Sequence, residues 1–106
     1  MILEVTYLDV HAGFQREFEQ TLPEALKMIT TAPGYLGHTV KRSIENRCRY
    51  MLLVQWERKA DSDENFRGTM RHQKLKQMIH RFYEMYPATE YYETVGGFAE
   101  FGTGQG

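Results

Sequence analysis

Apolar and polar positions along the chain change period repeatedly, and each change marks an element. From Ile2 to Asp9, Leu3, Val5 and Tyr7 alternate with Glu4, Thr6 and Leu8, the two-residue period of a strand. His11-Ala12-Gly13 interrupts it. Phe14, Phe18, Leu22, Leu26 and Ile29 then recur every three or four residues and draw one apolar stripe down a helix. Pro23 lies within that stripe and removes a backbone donor, so a bend or break is expected near Gln20 to Leu22. Ala32-Pro33-Gly34 ends the helix.

Tyr35 to Ile44 reads as a second strand, with Leu36, His38, Val40, Arg42 and Ile44 on one face, and Glu45-Asn46-Arg47 as the turn after it. Cys48 to Glu57 is the third strand. Its centre, Met51-Leu52-Leu53-Val54, is apolar on both faces, the mark of a strand covered from two sides. Asp61, Ser62 and Asp63 offer caps for a short helix that runs to Arg67 and stops at Gly68. Thr69 is placed to cap a longer helix, on which His72, Leu75, Ile79, Phe82 and Tyr86 form one face, with Pro87 closing it. Ala88 to Val95 is the fourth strand.

This order, β-α-β-β-α-β, predicts an α+β protein with the ferredoxin-like split β-α-β arrangement and an antiparallel sheet. Helices then cover one sheet face. The apolar side chains on the other face predict a second copy of the chain as their cover, a homodimer through the sheet. Residues 1–95 form the domain, and residues 96–106 form a Gly-rich tail, with Phe98 and Phe101, that is flexible or docked on the partner subunit.

Composition narrows the picture by exclusion. The chain has 106 residues, the size of one domain with one modest core and little room for a deep pocket. A formal net charge of −1 gives no electrostatic ground for nucleic acid or an anionic membrane as partner. Cys48 is the sole cysteine, so no internal disulfide forms. Met1-Ile2-Leu3-Glu4 lacks the basic start of a signal peptide, and no apolar run approaches the roughly 20 residues of a membrane span. A cytoplasmic location is expected.

A few residues carry candidate chemistry. Trp56, ending a central strand, offers a broad apolar wall and one N–H donor. His72 lies on the apolar face of the last helix, where a neutral imidazole can take or orient a phenolic proton. His38 shares a strand face with Val40 and faces either a pocket or an interface. His11 reads as a loop residue and His80 as a solvent-side one. Arg67 and Arg71 either bind an anionic group or join Lys74, Lys76 and Arg81 in a solvated basic face. No histidine spacing supports a metal site, and no GxGxxG follows a strand, so neither a metal nor a dinucleotide is expected.

Gly13 after the first strand, Ala32-Pro33-Gly34-Tyr35, Val54-Gln55-Trp56-Glu57, Asn65-Phe66-Arg67-Gly68-Thr69 and the closing Thr89 to Val95 together resemble the antibiotic biosynthesis monooxygenase domain family over residues 2–95. The resemblance implies a dimeric α+β barrel with a ligand pocket between sheet and helices of each subunit. It also implies a choice of chemistries, since some members oxidise quinols or polycyclic phenols with dioxygen and no bound cofactor, and others degrade haem. Trp56 matches the strand tryptophan of the haem-degrading members, but Thr6 stands at the position of their first-strand asparagine and Leu75 at that of their haem-ligating histidine. Leu52 stands where phenol-oxidising members often carry an asparagine.

The expectation is therefore a cofactor-independent monooxygenase acting on an electron-rich aromatic. The alternatives are a non-catalytic dimer binding a small hydrophobic ligand, or a haem-degrading monooxygenase. In the first case His72 serves as base or orienting group and Trp56 as wall and donor. The substrate is expected to touch Thr6, Phe14, Phe18, His38, Leu52, Leu75, Phe82 and Tyr86.

Overall fold

A computed structural model describes residues 1–83 and 87–99. The expected contributions of Tyr86 to the pocket and Phe101 to the tail lie outside the described residues. Alternation builds the first strand, β1, over Ile2–Asp9, and the apolar stripe builds a helix, α1, over Gln15–Leu26. Two further strands follow, β2 over Tyr35–Arg42 and β3 over Arg49–Trp56. A short helix, α2, spans Lys59–Asp63, and a longer one, α3, spans Met70–Ile79 and tightens into a 3-10 turn at His80–Phe82. The last strand, β4, is Thr89–Tyr92. The strands pair antiparallel throughout, in the spatial order β2-β3-β1-β4, which is the expected α+β, ferredoxin-like arrangement.

The helices pack on one face of this sheet, with α1 against α3. Phe18, Leu22 and Leu26 from α1 and Leu75, Ile79 and Phe82 from the α3 segment close over Leu8, Tyr50, Leu52, Val54 and Trp56. Phe18 stacks on both Tyr50 and Phe82, at ring-centroid distances of 4.8 and 5.6 Å. Truncating such a side chain costs about 3–5 kcal/mol. The opposite sheet face carries Leu3, Val5, Tyr7, Met51 and Leu53, and no helix among the described residues covers it.

Local features depart from the sequence expectation. Helix α1 runs unbroken through Pro23. The carbonyl that loses its partner is that of Glu19, an exposed residue whose oxygen water can serve, while Phe18, Leu22, Ala25 and Leu26 are buried on the inner side. The helix instead ends early, at Leu26, and tighter turns carry Met28 and Ile29 onward through bonds to Ala25 and Leu26. Leu36 is the extra residue of a bulge in β2, so Tyr35 rather than Leu36 joins Val40 on the helix-facing side. Asp61 and Ser62 lie inside α2 and are buried. Arg58 precedes the helix, and its backbone N–H and guanidinium both donate to Asp61, at 3.0 and 2.9 Å. Thr69 does cap α3, its hydroxyl accepting from the His72 N–H at 3.2 Å.

Gly34 is held on two counts. Its φ of +85° belongs to the left-handed region, and a Cβ there would lie 2.1 Å from Asp61 Oδ2. Its carbonyl accepts from the Glu57 N–H at 2.8 Å, joining the start of β2 to the end of β3 beside Trp56.

Candidate active site

Between the sheet and α3 lies a cavity of about 540 Å³, larger than the sequence expectation of little room for a pocket. Every second residue of β1 and β3 faces it, so Leu8, Leu52 and Val54 form its floor. Leu75 and Ile79, one turn apart on α3, form its roof, and Ile29 closes one side. The alternation that puts Leu8 inside also puts Glu4 inside. A carboxylate thus sits on the helix-facing side of a central strand, and its side chain is only 12% exposed.

Glu4 is bound on both oxygens. Oε1 accepts from the Trp56 indole N–H at 2.8 Å and from the Ser62 hydroxyl at 2.6 Å, and Oε2 accepts from Arg67 Nη2 at 3.0 Å. Because the single Ser62 proton goes to Glu4, the Tyr91 hydroxyl, 2.9 Å away, donates to Ser62 Oγ. The Tyr91 oxygen in turn accepts from Arg67 Nε at 3.3 Å. The result is a closed ring, Arg67 to Tyr91 to Ser62 to Glu4 and back to Arg67, with every donor direction fixed by a carboxylate that can only accept. Burial works against the Arg67 charge, but the Tyr91 and Glu4 contacts outweigh it and raise the guanidinium's pKa.

His72 lines the same end of the cavity. Burial, followed by the neighbouring Arg67 and Lys76 cations, holds its pKa below the ordinary value of 6.5, with Glu4 a weaker opposing influence. The imidazole is therefore neutral at pH 7. Its Nδ1 accepts the Gly68 backbone N–H at 3.1 Å, which leaves the ring proton on Nε2. A neutral ring held in this tautomer donates through Nε2 and has no free lone pair with which to remove a proton. Its ring meets Phe66 edge-on at 5.4 Å, and Phe66 packs on Trp56 at 5.8 Å, so indole and imidazole flank one aromatic wall. Farther along α3 the lining becomes Lys76, His80 and Tyr83. Burial pushes the Tyr83 phenol's pKa up, which keeps it a neutral hydroxyl.

Of the residues singled out in the sequence, the cavity brings together Thr6, Leu52, Trp56, Arg67, His72, Leu75 and Lys76. Thr6 Oγ1 is tied to Thr89 Oγ1 across β1 and β4 at 3.0 Å. Trp56 is 1% exposed and its N–H is taken by Glu4, so it serves as wall and has no donor free for a ligand. Phe18 and Phe82 lie away from the lining, in the closed core where the end of α3 meets α1. Phe14 precedes α1, 46% exposed, with His11 edge-on at 6.3 Å. His38 sits on edge strand β2, exposed, with its Nδ1 2.6 Å from the Tyr35 hydroxyl.

His80 is exposed, as the sequence suggested, but it also borders the cavity, at helical spacing from His72 and Lys76. Glu4, Ser62 and Tyr91 carried no chemical signal in the sequence except one. A carboxylate in step with Thr6 and Leu8 on an otherwise apolar strand needs a buried partner.

The model of the antibiotic biosynthesis monooxygenase family matches residues 1–78. The chain belongs to this family. An uncharacterised Bacillus subtilis protein, YczJ, is 35% identical over 95 residues, which are 90% of this chain and all of YczJ. Among solved structures, a Bordetella bronchiseptica protein classed with the antibiotic biosynthesis monooxygenases superposes with a TM-score of 0.85 at 26% identity, over 89% of this chain and 96% of that one. SnoaB of Streptomyces nogalater, a cofactor-independent oxygenase, superposes with a TM-score of 0.78 over 93% of this chain and 97% of its own, and at 15% identity that likeness is one of fold.

Proposed function

We propose that this family member is a monooxygenase that oxidises an electron-rich aromatic, a quinol or polycyclic phenol, with dioxygen and no bound cofactor. The observation that carries the reading is the cavity itself, apolar along its floor and roof, with a cation and a neutral imidazole donor gathered at one end. Its volume falls within the roughly 300–1,000 Å³ of small-molecule sites.

In this reading the ring system lies between Leu52 and Leu75, with its hydroxyl toward His72. The Nε2–H of His72 favours the phenolate, and the phenolic proton leaves to water. His72 thus acts as the orienting donor rather than the base, because the Gly68 N–H occupies Nδ1. The electron-rich anion passes an electron to dioxygen, the radical pair combines into a C–O bond, the peroxide takes a proton back from water, and the hydroperoxide loses water to leave a carbonyl. Phenol and dioxygen become quinone and water. Atoms and electrons balance between the two reactants, so no other reductant enters.

The reading includes a homodimer in the cytoplasm. Leu3, Val5, Tyr7, Met51 and Leu53 make a contiguous apolar sheet face of the kind that marks an interface. The test is oxygen uptake by the purified protein with quinols and polycyclic phenols, no cofactor added, measured against autoxidation of each compound. Uptake above that background, abolished by His72→Leu, is the expected result. Saturable binding of the same compounds with uptake at background would overturn the oxygenase and leave a binding protein.

A further inference from the structure

Among the described residues the charges around the cavity do not balance, and the imbalance has a position. Glu4 is the one acidic residue among its described lining, and Arg67 answers it at 3.0 Å. Lys76 lines the cavity too, and no carboxylate among the described residues lies within ion-pair distance of it. Lys76 is exposed where it borders the cavity, near enough for its charge to help lower the His72 pKa. On α3, Lys76 stands one turn beyond His72, on the order of 6 Å along the axis. His80 stands a further turn on, its Nδ1 2.9 Å from the Lys76 carbonyl and so occupied as a donor to backbone. The cavity therefore runs lengthwise beneath α3. The Trp56, Glu4 and His72 end is internally neutral, and beyond it Lys76 has no carboxylate partner among the described residues.

We infer that the substrate is an acidic aromatic, carrying a carboxylate about one helical turn from its reacting hydroxyl, and that Lys76 is the residue that selects for it. This rests on the reading of the cavity as the substrate site and adds the substrate's charge and its placement. A phenol that ionises at His72 meets the donor and Arg67 at that end and leaves Lys76 unpaired. A fixed carboxylate farther along the ring system pairs with it. A charge-assisted bond to the exposed Lys76 then adds to the apolar contact with Leu8 and Leu52. A neutral ring of the same size gains only the apolar contact.

The experiment uses anthracene-2-carboxylate and its neutral amide, which share size and shape and carry no phenol, titrated anaerobically and followed through the sole tryptophan, Trp56. The expected result is about tenfold tighter binding of the carboxylate. That preference should shrink at high salt and disappear in Lys76→Met, whose fold is checked by circular dichroism. Equal affinity of both probes for the unaltered protein overturns the inference while leaving the cavity as an aromatic site. A preference that survives in Lys76→Met overturns it as well. Failure of both probes to bind removes the site reading along with it. Because neither probe turns over, the oxygenase chemistry stands or falls separately on oxygen uptake.

Discussion

Trp56 and Glu4, 52 residues apart in the chain, meet on the helix-facing side of neighbouring strands, indole N–H to Oε1 at 2.8 Å. The register that pairs Glu4 with Val54 and Ile2 with Trp56 makes them diagonal neighbours, within reach of a long side chain and an aromatic one. That contact anchors the ring of hydrogen bonds holding Arg67 at the cavity. Replacing Glu4 by Leu strands the Trp56 N–H, the Ser62 hydroxyl and the Arg67 charge together. We expect a loss of about 3 kcal/mol in unfolding free energy, read by urea denaturation. An unchanged midpoint would show that water satisfies the donors.

Trp56→Phe separates the wall from the donor. The phenyl ring keeps an apolar surface and loses only an N–H that Glu4 already occupies. Oxygen uptake with a substrate is expected to fall by less than about tenfold. Removing a donor aimed at a developing oxyanion costs about 100- to 1,000-fold, and a loss of that size would return Trp56 to the role of donor.

His72 makes two separable predictions. As an orienting donor it should be partly replaced by Gln, whose amide can also donate, and not by Leu. Equal inactivity of His72→Gln and His72→Leu in the uptake assay would point to a base. In stability, the fold holds the imidazole pKa below its ordinary value of 6.5, so the unfolded chain takes up the proton first as pH falls. The contribution is complete above about pH 6.5 and is lost as pH falls through the lowered value. Denaturation midpoints measured from roughly pH 8 to pH 5 should therefore decline less steeply in His72→Gln than in the unaltered protein.

Gly34 and Gly68 share a positive φ, +85° and +84°, but only Gly34 faces a neighbour. Gly68→Ala should cost about 1 kcal/mol, the left-handed penalty alone. Gly34→Ala must also displace Asp61 from Arg58, and about 3 kcal/mol is expected from strain and the broken contact together. Thermal denaturation of the two variants side by side checks the difference.

Leu53 faces away from the helices in the middle of the uncovered sheet face, opposite Val5. Leu53→Lys should turn a dimer into a monomer in sedimentation with little effect on secondary structure, since it places one charge on each side of the same interface. A monomer before the substitution would remove the sheet-to-sheet dimer.

Much of the fold was legible because it rests on local periodicity. Alternation in Ile2–Asp9, the stripe from Phe18 to Leu26 and the Thr69 cap depend on neighbours within a few residues. Local pattern overstated what it could not weigh. The helix is not broken at Pro23, because the tertiary burial of Phe18, Leu22 and Leu26 outweighs one missing hydrogen bond. Phe18 and Phe82 looked like pocket walls because both are aromatic on inward faces. In three dimensions they join Leu52 and Leu75 in the core, and only Leu52 and Leu75 also border the cavity.

By itself the sequence determined the elements, their order and the antiparallel sheet, since each follows from spacing along one chain, and its motifs resembled the family. The tertiary structure decided which strand face turned inward, and with it that Glu4 is buried beside Trp56, Ser62 and Arg67. It also decided the His72 tautomer, through one Gly68 N–H. These are contacts between groups distant in sequence or set by backbone geometry. The energy of a buried charge or a ring proton depends on what surrounds it in space, which no one-dimensional pattern records.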